Sequence, residues 1–420
     1  MMRTRMFLIF LLILALALPS LCLSEDAFDP ETDPLLQDFA ERSHTTHDKS
    51  MGYPGNEDIR LDGFYEWLLT NKAGHAIMNN AGDPNNYAED HGSLQIENAV
   101  IRYFAPLYGF DPDEVWGLVT MSGTDGNNHG IYYGRNKLIS ETGMAPVLYV
   151  SEESHYSNMR LAELQQLDVH MVETDEMGRM IPESFREVAD PERPMLVVFS
   201  MGTTFKGGID DQQAINAIIE ELNPPAVYRH VDAALFGGYL PFSNHQDLVD
   251  HSVLGFDSIA ISGHKFFGMD EPCGLFFTTK EVLSKQNPYE VTYLNTSMPM
   301  INCSRSAISP LKFYWLIKTI GTEGFSEMAN GMLEKAAYLK KELDRIGWPA
   351  WVSSEVSNTV FFTQPCEQTM HEFTLAPDHD DRFGGGLAHV VVMASVSVEE
   401  IDELIEALEA EMAAAEEPAA

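Results

Sequence analysis

Five short apolar runs, near residues 117–121, 147–150, 195–199, 226–231 and 256–261, punctuate the middle of the chain, with stretches of helical spacing between them. Runs of this length without polar alternation read as strands covered on both faces, and their alternation with helices predicts a mostly parallel sheet. Further on, Met328, Met332, Leu333, Ala336, Leu339 and Leu343 recur at the period of an amphipathic helix from about 325 to 346. Asn358-Thr359-Val360-Phe361-Phe362 and His389-Val390-Val391-Val392-Met393 then read as strands, and a last helix is expected at about 398–413. The pattern predicts an α/β fold with an N-terminal segment over 25–60, a large domain over 61–320, a small α+β domain over 321–413 and an acidic, Ala-rich tail over 414–420. At 420 residues, 45% of them apolar, the chain can bury a core large enough for two domains.

The first 24 residues follow a different pattern. Arg3 and Arg5 precede an apolar run from Met6 to Leu18, and Pro19-Ser20-Leu21-Cys22-Leu23-Ser24 leads into acidic sequence. That is the layout of a secretory signal peptide, so export to a periplasm or the outside is expected, with cleavage near Ser24. The alternatives are an uncleaved signal anchor at a membrane and a true start at Met51, which would leave the protein cytoplasmic. Losing Arg3 and Arg5 takes the formal charge from −38 to −40, with 24 basic and 64 acidic residues remaining. Such a surface repels nucleic acid and anionic membranes. Removing Cys22 with the leader leaves Cys273, Cys303 and Cys366, too few and odd in number for a disulfide framework; no Cys/His cluster has metal-ligand spacing, so no metal is expected.

The chemistry gathers at the ends of the predicted strands. Ser262-Gly263-His264-Lys265 follows Ile259-Ala260-Ile261, and His230-Val231-Asp232-Ala233-Ala234 follows Ala226-Val227-Tyr228. Open α/β sheets place their ligands there. A lysine amine can form an imine, and a carboxylate can keep a pyridine nitrogen protonated. Ala233 and Ala234 leave room for a flat ring, and Ser262 and His264 can donate to a phosphate. Together these match the needs of pyridoxal phosphate. Taken singly, each motif is commonplace, a surface lysine or a turn aspartate. Upstream, Trp116-Gly117-Leu118-Val119-Thr120-Met121 runs into Ser122-Gly123-Thr124-Asp125-Gly126, with a helix expected from near Asn127. N–H groups at Gly123 and Thr124 and a positive helix end would cradle an anion. His155, past the run at 147–150, either stacks on a ring or serves only its own loop. Thr203 and Thr204, past the run at 195–199, offer hydroxyls to a ligand or to local turn bonds.

In order, Ser-Gly-Thr-Asp-Gly-Asn from Ser122, Ser-His-Tyr-Ser from Ser154, Gly-Thr-Thr from Gly202, His-Val-Asp-Ala-Ala from His230 and Ser-Gly-His-Lys from Ser262 resemble the group II pyridoxal-phosphate-dependent amino-acid decarboxylases. Within that group the chain is most similar to the branch of bacterial histidine and plant serine decarboxylases, over roughly residues 60–320. The resemblance implies a PLP-dependent transferase-like large domain of fold type I and a homodimer with shared active sites. It makes Lys265 the Schiff-base lysine, Asp232 the pyridinium partner and His155 the ring-stacking histidine. Gly123, Thr124, Ser262 and His264 would surround the phosphate. It also assigns Tyr293 to the active-site wall, where Tyr293 or His155 would return a proton to Cα. Asn80 and Asp83, within Asn79-Asn80-Ala81-Gly82-Asp83-Pro84, and Arg305, of the pair Ser304-Arg305, fall on the substrate side. Arg305 would serve the neighbouring subunit. By residue type alone, Tyr293 is a packed aromatic and Arg305 a surface charge.

Three departures bear on the substrate. The chain has Cys303-Ser304-Arg305-Ser306-Ala307 where the branch usually has Gly-Ser-Arg-Asn-Gly, Ser297-Met298-Pro299-Met300 lacks the usual charges, and Asp125 stands where glutamate is more frequent. The expected reaction is decarboxylation of an L-amino acid, histidine to histamine first. The alternatives are serine or another amino acid, a different PLP reaction such as transamination, and a secreted binding protein with a decayed site.

Overall fold

The computed structural model describes residues 29–47, 49–76, 78–87, 92–292 and 296–416, so the leader expected over 1–24 lies outside the described residues. The chain divides into two compact units, one up to Asp48 and one from Lys49 on. The first contains the helix Pro34–His47. Among the described residues four sheets, two of them only two-stranded, and the remaining helices belong to the second.

The larger sheet has seven strands, β1 (Val115–Thr120), β2 (Val147–Ser151), β3 (Asp168–Val172), β4 (Met195–Ser200), β5 (Val227–Asp232), β6 (Ser258–Ser262) and β7 (Gly274–Thr279). Their order in space is β1-β7-β6-β5-β4-β2-β3. Strands β6, β5, β4, β2 and β3 pair in parallel, and β7 runs antiparallel to both its neighbours. All five expected strands are present, joined by β3 and β7. β1, β2, β4 and β6 are buried along their whole length, which is why the sequence shows them as unbroken apolar runs.

Helix α1 (Leu94–Phe104) leads toward β1, α2 (Gly123–Thr142) follows β1, and α3 (Tyr156–Gln165) follows β2. Helix α2 begins at Gly123, four residues before the expected start near Asn127. Ser122 is its cap, the hydroxyl accepting from the Asp125 N–H at 3.1 Å, so the small-residue turn forms the first helical turn. Gly126, Gly130 and Gly134 lie one turn apart where α2 meets the sheet. A Cβ at these positions would fall 2.8 Å from Ala260 Cβ, 2.2 Å from His230 Nδ1 and 2.5 Å from Tyr228 Cδ1. Only glycine lets the helix backbone approach β5 and β6 this closely.

The smaller sheet is antiparallel, with β8 (Ala350–Trp351), β9 (Thr359–Thr363), β10 (Ala376–Asp380) and β11 (Gly385–Val391) in the order β8-β9-β11-β10. Helices α4 (Gly321–Ile346) and α5 (Val398–Glu416) share its core. Met332, Ala336, Leu339 and Leu343 of the expected stripe are buried in α4, while Met328 and Leu333 pack at the margin. Among the described residues no helix is long and apolar enough to cross a membrane.

Candidate active site

The parallel strands bring their carboxyl ends to one edge of the larger sheet, and a cleft of about 130 Å³ opens there. Gly123 and Thr124 at the start of α2, His155 at the start of α3, Thr203 and Thr204 after β4, Asp232 at the end of β5 and Ala234 after it, and Ser262 at the end of β6 with His264 and Lys265 after it all line the cleft. Ser122, Asn127 and Ser200 line it as well.

Asp232 is the best supported charge in the cleft. Its Oδ2 accepts from Asn127 at 2.8 Å and from Asn158 at 3.0 Å, and its Oδ1 accepts from the Ala234 N–H at 3.2 Å. Since Asn127 donates through Nδ2, its Oδ1 must accept at 3.0 Å from His230 Nε2, which leaves His230 Nδ1 to accept from Ser258 at 2.8 Å. Burial lowers His230 to about 4 and keeps it neutral, as this relay requires. The chain Ser258, His230, Asn127, Asp232 thus fixes the carboxylate from below.

Lys265 faces this carboxylate's field, and its side-chain amine makes no hydrogen bond to the described residues. Burial pulls its amine below the usual value, against the attraction of Asp232. Burial also lowers His155, helped by Lys265 and opposed by Asp232. His155 Nδ1 accepts from the Ser157 N–H at 3.3 Å and lies 2.7 Å from the Ser157 hydroxyl, so the neutral ring carries its proton on Nε2. His264 is lowered by burial and then by Lys265, and its Nδ1 is buried without a partner.

The residues fit pyridoxal phosphate on several observations. The N–H groups of Gly123 and Thr124 open a twenty-residue helix and have no intrahelical acceptor. A Cβ on Gly123 would stand 2.3 Å from Ser262 Oγ, filling the space between them. The Ser200 hydroxyl and His264 Nδ1 are polar atoms buried without partners, as groups awaiting a ligand are. A model of the pyridoxal-dependent decarboxylase conserved domain matches residues 135–363. The chain belongs to the pyridoxal-dependent decarboxylase family. Serine decarboxylase 1 of Oryza sativa subsp. japonica is 33% identical over 84% of this chain and 70% of its own length. Histidine decarboxylase of Solanum lycopersicum is 30% identical over 89% of this chain and 87% of its own. The solved L-methionine decarboxylase from Streptomyces sp. 590 superposes with a TM-score of 0.76 at 20% identity, covering 92% of this chain and 96% of that one; at such identity the likeness establishes the fold. This decarboxylase is therefore a PLP-dependent carboxy-lyase of fold type I.

The residues expected on the substrate side do not join the cleft of the decarboxylase. Arg305 is 3% exposed, and its guanidinium grips both oxygens of Glu97 in α1, at 2.8 and 3.0 Å. Asn80 donates to Glu97 at 2.8 Å and holds the Ser93 N–H at 2.7 Å, and the Val119 N–H of β1 donates to Glu97 at 2.9 Å. Asp83 accepts from the Trp116 indole at 3.0 Å. These residues form a buried polar network beneath β1. Arg305 is thus no surface charge, because a full carboxylate partner makes its burial tolerable. Thr203 lines the cleft, and its hydroxyl accepts from the Gly208 N–H at 2.8 Å, which leaves its O–H to donate. Tyr293 lies outside the described residues. Between the two altered segments, Asn302 donates to Asp125 at 2.6 Å and the Ile301 N–H donates to His129 at 3.1 Å, which ties this stretch to α2.

Asn127 and Asn158, the two amides that hold Asp232, were not candidates in the sequence. Asn127 sits one turn beyond Gly123, a spacing that signals a shared face only once the helix is known to start at Gly123.

Proposed function

We propose that the decarboxylase acts on L-histidine, giving histamine and CO2. The observation that carries the reaction is the Asp232 carboxylate, held by three donors at the cleft where Lys265 stands without a partner. When bound, pyridoxal phosphate supplies a sink for the electron pair left at Cα as CO2 departs. Lys265 would hold its aldehyde, Asp232 its ring nitrogen, His155 its ring face, and Gly123, Thr124, Ser262 and His264 its phosphate. Asn127, Asn158 and the Ala234 N–H hold the Asp232 carboxylate in place. His155, neutral with its proton on Nε2, can donate a hydrogen bond into the cleft, and in its imidazolium form it is a candidate to return a proton to Cα.

Support for histidine comes from the histidine decarboxylases at about 30% identity over most of the chain. Serine is the second reading, favoured by the serine decarboxylase of rice. Met121, Tyr156 and Met159, beside the cleft residues Ser122 and His155, are 50%, 79% and 40% exposed, and we propose that a second copy of the chain covers them. Carboxyl-labelled histidine and serine, offered separately, test the substrate. CO2 together with histamine from histidine supports the proposal; CO2 from serine alone overturns it.

A further inference from the structure

The loop after β4 carries Thr203 and Thr204 and closes on itself, the N–H groups of Gly202 and Thr203 both reaching Gly208 O, at 3.0 and 2.9 Å. The three residues beyond the threonines are fastened to the smaller sheet and its loops. Phe205 stacks on His389 of β11, with ring centroids 4.4 Å apart, and its carbonyl accepts from His389 Nδ1 at 2.7 Å. Lys206 donates to Asp380, the last residue of β10, at 2.7 Å, and Ser353 donates to Gly207 O at 2.5 Å. Lys206 also donates to Glu153, at 2.8 Å, and Glu153 stands two residues before His155. The Lys206 side chain is 1% exposed, a cation enclosed between carboxylates from two separate segments.

We propose that Lys206 is a positioning residue for the cofactor: it sets the distance between the His155 and Thr203–Thr204 walls of the cleft and references both to the small sheet. This rests on the reading of the cleft as a pyridoxal phosphate site. A buried cation shared by two carboxylates is rigid, because moving either partner strands a charge. Removing the cation leaves Glu153 and Asp380 to repel. Asp380 keeps Arg382, whose hydrogen bonds hold its carboxyl far below the usual range, so Glu153 is the partner that moves. His155 moves with it.

The test is titration of pyridoxal phosphate into the full chain, followed by absorbance, with thermal unfolding alongside. Lys206→Met, which keeps the stem and removes the charge, is expected to weaken binding about tenfold or more, and Lys206→Arg to stay within about threefold of the parent. Glu153→Gln, which loosens the tie without stranding a charge, is expected to cost about threefold. Adding Glu153→Gln to Lys206→Met is expected to restore binding to that same level, a rescue that a merely structural lysine would not give. Should Lys206→Met fail to fold, the effect of Glu153→Gln alone decides. Unchanged affinity in Lys206→Met or in Glu153→Gln, or a double variant no better than Lys206→Met, overturns the proposal. Failure of the parent protein to bind pyridoxal phosphate overturns the cofactor reading itself.

Discussion

Gly130→Ala puts a methyl group where the His230 ring already lies. The new Cβ would sit 2.2 Å from Nδ1 and 2.3 Å from Cε1. Ordinary contact is about 3.5 Å, so the ring or the helix must give by more than ~1 Å. His230 is fully buried, and its bonds to Ser258 and Asn127 span 2.8 and 3.0 Å, so a displacement of that size breaks both. The two bonds contribute about 1 kcal/mol each. Overpacking costs about 1–3 kcal/mol, and alanine's better helix propensity returns about 1 kcal/mol, for a net loss of about 2–4 kcal/mol. The damage also reaches the cleft, since Asn127 loses the partner that aims it at Asp232. Gly134→Ala is the control: its Cβ would strike the Tyr228 ring at 2.5 Å, one helical turn farther along α2 from Asn127. Urea unfolding and titration with pyridoxal phosphate, run on both variants, separate the two effects. Both are expected to unfold at lower urea, and only Gly130→Ala to bind the cofactor more weakly, by about tenfold. A Gly130→Ala protein as stable as the parent, or more stable, would refute the reasoning.

Two further predictions concern buried charges. Arg305→Ala strands Glu97 in the network beneath β1 and is expected to cost about 3–5 kcal/mol in urea unfolding, partly recovered by Glu97→Gln; a raised KM at unchanged stability would instead make Arg305 a substrate contact. Burial pushes the Asp210 carboxyl up to about 7, against hydrogen bonds from the N–H groups of Met180 and Ser200. The folded protein then holds a proton that the unfolded chain has released, so stability falls as pH rises from about 4 to about 7. Asp210→Asn removes this term, and the unfolding free energy of the variant minus that of the parent is expected to rise across that window; a difference flat with pH would contradict it.

The chemistry of the cleft was legible because it sits where backbone grammar puts it, at the ends of apolar strands followed by small polar residues. Lys265, Asp232, His155 and the Gly123-Thr124 turn could each be placed from the runs before them. Position along a strand says nothing of what lies across the sheet, so the amides of Asn127 and Asn158 that hold Asp232 were invisible. The same limit applies to Arg305, whose surroundings depend on Glu97, more than two hundred residues away. β3 was missed because Asp168-Val169-His170-Met171-Val172 mixes polar with apolar residues, as an edge strand with one neighbour can. β7 enters antiparallel, outside the alternation of strand and helix that gave the others away.

The most direct test of the account is the absorption spectrum of the protein from Glu25 onward with pyridoxal phosphate, recorded for the parent and for Lys265→Ala while CO2 is collected from labelled amino acids. A visible band is expected in the parent, shifting on addition of histidine and accompanying CO2 release, with both band and release lost in Lys265→Ala. A parent protein without the band, or a Lys265→Ala protein that still releases CO2, would contradict it.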